Sequence, residues 1–288
     1  MNCNDIEESR LMADSDQPMP DTKPFLRWAG SKRQLLPILS KFWRDGYSRY
    51  VEPFAGSACL FFHLQPHRAL LGDLNSELIS TYESVKHQVD DVCFYLGQYK
   101  LGRDEYLTVR SIDPSVLLPA ERAARFIYLN RFCFNGLYRT NQRGIFNVPY
   151  GGEKSGNLPT DEQLKRCSLL LKNVELFTGQ FDKVLEQTKY GDFVYMDPPY
   201  RVSKRRVFNE YDPSSFSQED LNILKEWLYK LDKIGIPFIV SYAESDEAII
   251  LGDGFHTYKV SVKRNIAGFT GHRGLANEIL ISNQLVSF

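Results

Sequence analysis

The 288-residue chain lacks any apolar run approaching the about 18–20 residues that a membrane-spanning helix needs, which excludes a helical membrane protein. No charged-then-apolar leader opens it, so no secretory signal is expected. Cysteine is scarce. Cys3, Cys59, Cys93, Cys133 and Cys167 are odd in number, far apart and free of any CxxC spacing. Neither a disulfide framework nor a zinc site is suggested, and a reducing cytoplasm fits. His63, His67, His87, His256 and His272 show no metal-ligand spacing. There is no G-x-x-x-x-G-K-[ST] phosphate loop, no internal repeat and no low-complexity tract. Nor is there an excess of charge of either sign. The 35 Lys and Arg meet 36 Asp and Glu for a net charge of −1, which by itself argues against a nucleic-acid partner.

The distribution of that charge says more than its sum. Residues 1–22 hold six acids (Asp5, Glu7, Glu8, Asp14, Asp16, Asp21) and one base, Arg10, a net of −5. They are polar, poor in aromatics and carry Pro18 and Pro20, the composition of a disordered acidic tail. Residues 23–288 then hold 34 bases and 30 acids, a net of +4. With 43% hydrophobic residues, the remainder can bury a sizeable core.

Hydrophobic patterning predicts a doubly wound α/β sheet interrupted by an insertion. Arg49 to Glu52 reads as a short strand, followed by a small-residue turn and an apolar helix, Cys59 to Leu64. A second strand, Leu70 to Gly72, ends at Asp73, and Asn75-Ser76 can cap the next helix. From Glu77 to Asn157 helical segments dominate: Glu77 to His87, Val92 to Lys100 and Pro119 to Phe132. A Gly-, Asn- and Arg-rich stretch, Asn135 to Gly156, follows them. Strands return at Phe193 to Met196, Pro237 to Ser241, Thr257 to Val262 and Glu278 to Ser282. Ser217 caps an amphipathic helix among them. The expected division is 1–22 tail, 23–76 and 160–288 catalytic domain, and 77–159 inserted recognition domain.

Three constellations carry chemistry. In Glu52-Pro53-Phe54-Ala55-Gly56-Ser57-Ala58, a glycine turn at a strand end lets backbone approach a ligand. Asp73, at the next strand end, is placed to accept hydrogen bonds from ribose hydroxyls. In Asp197-Pro198-Pro199-Tyr200, two prolines fix the Asp197 side chain and the Pro198 carbonyl as paired acceptors for an exocyclic NH2, with the Tyr200 ring as a stacking face for a base. In Trp28-Ala29-Gly30-Ser31-Lys32, a helical turn would bring Trp28 and Lys32 onto one face, an aromatic wall beside an ammonium.

Taken in chain order, W-A-G-x-K, E-P-F-x-G, a strand-end Asp, an insertion and D-P-P-Y resemble the alpha-class, Dam-type (D12) adenine-N6 DNA methyltransferases. The likeness runs from Lys23 to Asn283 and includes Leu129-Asn130-Arg131-Phe132-Cys133-Phe134-Asn135-Gly136-Leu137-Tyr138-Arg139, then Asn141 and Phe146-Asn147-Val148-Pro149. It implies a Rossmann-like S-adenosylmethionine-dependent methyltransferase sheet with an inserted, mostly helical DNA-recognition domain. It also implies S-adenosyl-L-methionine as cofactor, bound by Trp28, Lys32, Glu52, Phe54, Gly56, Asp73 and Asp197. Asp197, Pro198 and Tyr200 become the catalytic group, and no metal is required. One departure is Ala58, where the family usually has a second glycine; its methyl group is expected to narrow the methionine pocket.

The implied reaction is methyl transfer to N6 of an adenine flipped out of duplex DNA, within GATC. Phe134, Asn135, Leu137 and Arg139 match the family's base-contacting hairpin. Asn-Gly supports the turn, and Arg139 is the expected partner of guanine O6 and N7. Arg122, Arg125, Arg131 and Arg143 lie nearby as candidate phosphate contacts. Arg201 to Arg206, which includes Lys204 and Arg205, together with Lys263 and Arg264, reads as a phosphate clamp. The implied partner is double-stranded DNA, without a membrane or an obligate protein partner, in the cytoplasm of a bacterium or from a phage. Cytosine-N4 methylation is disfavoured by Asp197, where such enzymes more often carry Ser. Protein-glutamine methylation is disfavoured because its motif begins with Asn. A catalytically silent DNA-binding regulator would have lost the cofactor residues that this chain keeps.

Overall fold

The computed structural model describes residues 22–141, 144–152, 155–200, 216–264 and 274–287. The acidic tail, Arg143 and the basic run from Arg201 to Arg206 lie outside the described residues.

A seven-stranded sheet organises the chain in the order β3-β2-β1-β4-β5-β7-β6. Its strands are β1 (Arg49–Glu52), β2 (Ala69–Asp73), β3 (Val174–Thr178), β4 (Asp192–Met196), β5 (Phe238–Ala243), β6 (His256–Arg264) and β7 (Gly274–Ser282). The β3-β2-β1-β4-β5 portion is parallel, and β7 runs antiparallel between β5 and β6. This is the Rossmann-like α/β architecture that the sequence implies. Strand order reverses between β1 and β4, and the crevice at such a point, beyond the carboxyl ends of the strands, is where open α/β sheets bind ligands.

Alternation along the central strands divides the core in two. Tyr50, Ala69, Leu71, Phe193, Tyr195 and Ile239 point to one face. Val51, Leu70, Val194, Met196, Phe238 and Val240 point to the other. Helices cover both faces: α1 (Leu36–Leu39), α2 (Cys59–Leu64), α3 (Ser76–His87), α4 (Val89–Leu96), α5 (Arg103–Ser111), α6 (Pro119–Phe132) and α7 (Asp161–Leu171) on the first, and α8 (Phe181–Leu185), α9 (Gln218–Lys233) and α10 (Asp246–Gly252) on the second. Burial on both faces is why the parallel strands read as short apolar runs.

Helix starts follow side-chain chemistry. The Asn75 side chain accepts from the Leu78 N–H, and Ser217 and Asp220 form a reciprocal capping box on α9. The helical segment between β2 and β3 is continuous with the sheet core. α3 packs on β2 and β3 as well as on α6 and α7, and Tyr106, Phe126, Ile127 and Tyr128 belong to the same apolar cluster as Tyr50 and Phe193. Among the described residues no helix is long and apolar enough to cross a membrane.

Candidate active site

The carboxyl ends of β1, β2 and β4 bring Glu52, Asp73 and Asp197 together, with the segment 25–32 closing over them. At its centre is an ion pair across 165 residues of sequence. Lys32 Nζ lies 2.7 Å from Asp197 Oδ1 and 3.0 Å from Oδ2, and donates to the Gly30 carbonyl at 3.0 Å. The same ammonium sits 5.0 Å from the centre of the Tyr200 ring, within cation–π range. Ser241, fully buried on β5, donates to Asp197 Oδ1 at 3.0 Å. Burial raises the Asp197 carboxyl above its ordinary range, while the Lys32 charge and the hydrogen bonds from Lys32 and Ser241 pull it down.

Trp28 and Lys32 do meet at the site, but not on a helix. The Ser31 N–H bonds to the Trp28 carbonyl at 3.1 Å in a turn, with Gly30 at φ +84°, and helical geometry begins only at Arg33. A left-handed glycine breaks the α path that i,i+4 spacing assumes. Gly56, at φ +46°, faces the Trp28 indole so closely that a Cβ would stand 2.7 Å from its Cδ1. The Gly56 N–H donates to Asp73 Oδ2 at 3.0 Å, and the Asn75 N–H to Asp73 Oδ1 at 2.9 Å. Burial raises the Asp73 carboxyl, and these backbone bonds oppose the rise. Each oxygen keeps acceptor capacity for a further donor. Ala58 takes φ +48°, a left-handed conformation that glycine enters without strain. Glu52 is buried beneath the turn and accepts from the Tyr50 hydroxyl at 2.9 Å; burial pushes its carboxyl well above the usual range. Phe54 stacks on Phe181 at 5.1 Å, with Phe216 edge-on at 6.1 Å.

Pro198 is buried and Tyr200 half-buried. The Tyr200 hydroxyl donates to Glu278 Oε2 at 2.8 Å, and its ring meets Tyr242 edge-on at 5.2 Å.

The segment after α6 forms a hairpin. Its closed end lies between Asn141 and Ile145, where the Asn141 N–H bonds to the Ile145 carbonyl at 2.9 Å. Asn135 at φ +56° and Gly136 at φ +64° instead make a tight turn within the outgoing arm, with the Leu137 N–H on the Phe134 carbonyl at 3.2 Å, so the Asn-Gly pair is a turn but not the hairpin's own. Isolated antiparallel bridges pair Cys133 with Tyr150 and Thr140 with Phe146. Phe134, Asn135, Leu137 and Arg139 are exposed on this projection. Arg139 Nε donates to Asn147 Oδ1 at 2.8 Å across the hairpin, which fixes the direction of the guanidinium.

The other basic residues divide. Arg125 is buried and donates to the Val109 and Arg110 carbonyls at 3.0 Å each, so it ties α5 to α6 and is not available to a phosphate. Arg122 is ion-paired with Glu77. Arg131 has a buried Nε without a hydrogen-bond partner, and burial first, then the charges of Arg27 and Arg33, lowers its pKa. Lys263 and Arg264 end β6, while Lys204 and Arg205 lie outside the described residues.

Sequence patterning assigns no role to Tyr195, Ser241 and Glu278, which lie in strand-like runs, or to Tyr138, which it reads only as part of the hairpin segment. Tyr138 is the hairpin residue whose ring lies against Trp28. A pocket of 130 Å3, lined by Glu77, Arg122, Phe126, Tyr138 and Phe146 among others, adjoins it under the hairpin.

Residues 28–266 match the family model described as D12 class N6 adenine-specific DNA methyltransferase. The Type II methyltransferase M1.LlaDCHI of Lactococcus lactis subsp. cremoris is 35% identical over 270 residues, covering 91% of this chain and 95% of that protein. The Type II methyltransferase M.MjaIII of Methanocaldococcus jannaschii is 36% identical over 269 residues, covering 85% and 93%. The DNA adenine methylase of Escherichia coli strain K12 is 30% identical over 270 residues, covering 91% and 95%. With the match extending over the turn at Trp28, the three strand-end carboxylates and the hairpin, the chain belongs to the D12 class of N6 adenine-specific DNA methyltransferases.

Proposed function

We propose that the chain transfers the methyl group of S-adenosyl-L-methionine to N6 of an adenine flipped out of duplex DNA, within GATC. One observation carries this reading: the Asp197 carboxylate is fixed at the sheet's switch point beside the Tyr200 ring. The donor set fits the cofactor. Lys32 offers an ammonium to a carboxylate, Trp28 an aromatic face, and Asp73 free acceptor positions to hydroxyls. Gly56, where a Cβ would stand 2.7 Å from Trp28 Cδ1, lets the indole seat directly on the turn that also holds Asp73. When bound, the cofactor supplies an electrophilic sulfonium methyl.

The chain's own residues do the rest. The adenine amino nitrogen is a poor nucleophile because its lone pair is delocalised into the ring. Asp197 and the Pro198 carbonyl accept its two N–H bonds, which favours a pyramidal nitrogen and stabilises the charge that develops on it. Tyr200, tied down by Glu278, offers the stacking face that holds an extrahelical base. Residues 77–159 act as the recognition unit and 23–76 with 160–288 as the catalytic unit. Phe134 and Leu137 are the apolar hairpin residues against unstacked bases, and Arg139 reads guanine. Arg131 is half-buried with its Nε sealed from solvent, so a phosphate contact there falls to its terminal nitrogens.

Labelled-cofactor assays on duplex DNA, with long-read sequencing of DNA from cells expressing the protein, test both levels. Methyl-N6-adenine at GATC is expected. Label on cytosine would overturn the base assignment, and methyladenine at another motif would overturn the site alone.

A further inference from the structure

Asp197 is held by a buried hydroxyl chain whose direction follows from proton counting. Tyr195 and Asp197 lie two residues apart at the end of β4 and therefore share a face of the sheet. The parallel register pairs Tyr195 with Ile239 and Met196 with Val240, so its next step sets Asp197 level with Ser241. Ser241 Oγ lies 3.0 Å from Asp197 Oδ1 and 3.1 Å from the Tyr195 hydroxyl, and both Ser241 and Tyr195 are sealed from solvent. A serine has one proton to give. Ionised Asp197 only accepts, so Ser241 donates to it, and Tyr195 must then donate to Ser241. Burial holds the Tyr195 phenol well above its ordinary range, so it keeps the proton this direction needs.

We propose that Ser241 is a positioning residue for methyl transfer, backed by Tyr195: the chain Tyr195→Ser241→Asp197 pins Oδ1, which Lys32 Nζ also approaches at 2.7 Å, and leaves Oδ2, 3.0 Å from the same ammonium, to receive the substrate amine. The inference rests on the reading that Asp197 accepts the amino protons. A carboxylate with one oxygen fixed cannot rotate about its terminal torsion, so the second oxygen and the Pro198 carbonyl stay a matched pair through the reaction. With Ser241 donating to Oδ1 and Lys32 Nζ 2.7 Å from it, both acceptor sites of that oxygen are taken, so that a single carboxylate oxygen meets the amine.

The test is steady-state kinetics over pH on Ser241→Ala and Tyr195→Phe, with cofactor affinity measured by calorimetry and folding by thermal melting. For Ser241→Ala, kcat is expected to fall about tenfold or more, while KM for DNA and the cofactor Kd stay within about twofold. Its acid limb moves toward neutral pH, because a donor that favours the ionised carboxylate is gone. Tyr195→Phe, which keeps the ring and the packing, shifts the limb in the same direction by less. A folded Ser241→Ala with unchanged kcat and an unchanged acid limb overturns the proposal. If Ser241→Ala does not fold, an unmoved limb in Tyr195→Phe overturns it. Near-wild-type turnover in Asp197→Ala would instead remove the underlying reading, and so separates the two failures.

Discussion

The indole of Trp28 and the phenol ring of Tyr138 lie 17° from parallel with centroids 6.3 Å apart, joining the segment assigned to the cofactor to the hairpin assigned to DNA. Tyr138 also meets Phe126 at 5.5 Å and Phe146 at 5.7 Å, so it is the middle ring of a row that starts at Trp28. An aromatic pair contributes roughly 0.5–1.5 kcal/mol beyond the area it buries. Tyr138→Ala is therefore expected to weaken cofactor binding several-fold although the residue belongs to the hairpin. Calorimetric titration without DNA checks this, and an unchanged Kd would show that the ring row is packing alone.

Gly56 is expected to tolerate no side chain. Alanine there would place its Cβ 2.7 Å from Trp28 Cδ1 at φ +46°, so the indole must leave. Gly56→Ala should lose cofactor affinity by more than tenfold and stability by about 1–3 kcal/mol, from the strain and the displaced ring together. Denaturant melts alongside titration separate the two effects.

Glu52 sets a pH dependence of stability. Its folded carboxyl titrates well above the usual range because it is buried, so the folded state binds a proton that the unfolded chain has released. The sign follows. Its contribution is fully present below the unfolded pKa and is lost as pH rises through the raised folded value. Glu52→Gln mimics the protonated form and can keep the acceptor for the Tyr50 hydroxyl. Its melting temperature should exceed that of the wild type at pH 8 and match it at low pH. Equal melting curves at pH 8 would refute the account.

At the opposite end of the sheet, Arg49 and Asp192 form a buried bidentate pair, with Nη2 2.8 Å from Oδ2 and Nε 3.3 Å from Oδ1. Asp192→Ala leaves the guanidinium with the Gln187 carbonyl at 2.7 Å and Glu175 at 3.4 Å, and is expected to cost about 3 kcal/mol in denaturant unfolding, the low end for breaking a buried pair. Specific activity per folded molecule should not change, since neither residue approaches Asp197.

Arg139→Ala should relax sequence choice by about 1–3 kcal/mol at one base pair, and Asn147→Ala, which releases the same guanidinium, by less. Sequencing of DNA methylated in cells reads this directly. Unchanged site choice in both variants would remove Arg139 from recognition.

The site was legible in the sequence wherever backbone chemistry is local. Gly56, Pro198 and the strand-end acids announce themselves because a turn or a rigid acceptor demands those residue types. Asn135-Gly136 was legible as a turn for the same reason. What sheet pairing supplies was not. Ser241 looks like any small residue at a strand end until the β4–β5 register sets it beside Asp197. β3 went unread because it is an edge strand, half-exposed beyond Val174, and lacks the apolar run of the central strands. The Trp28–Lys32 spacing suggested a helix because counting residues cannot see that Gly30 takes φ +84°. Arg125 passed for a surface charge because its partners, the Val109 and Arg110 carbonyls, belong to a different helix.

Asn130 holds Arg27 by its main chain in both directions: its Oδ1 accepts from the Arg27 N–H at 2.8 Å, and its Nδ2 donates to the Arg27 carbonyl at 2.7 Å. The Arg27 guanidinium adds bonds to the Arg131 and Ser155 carbonyls at 3.1 and 3.0 Å. The residue before Trp28 is thus bolted to the last turn of α6, from which the hairpin springs. Two ligands that each order this junction cannot have independent equilibria. Ligands that favour the same arrangement of it bind more tightly together than apart, by the same factor in either order of addition. An amide side chain that touches no ligand would thereby set the thermodynamic cycle linking cofactor to DNA.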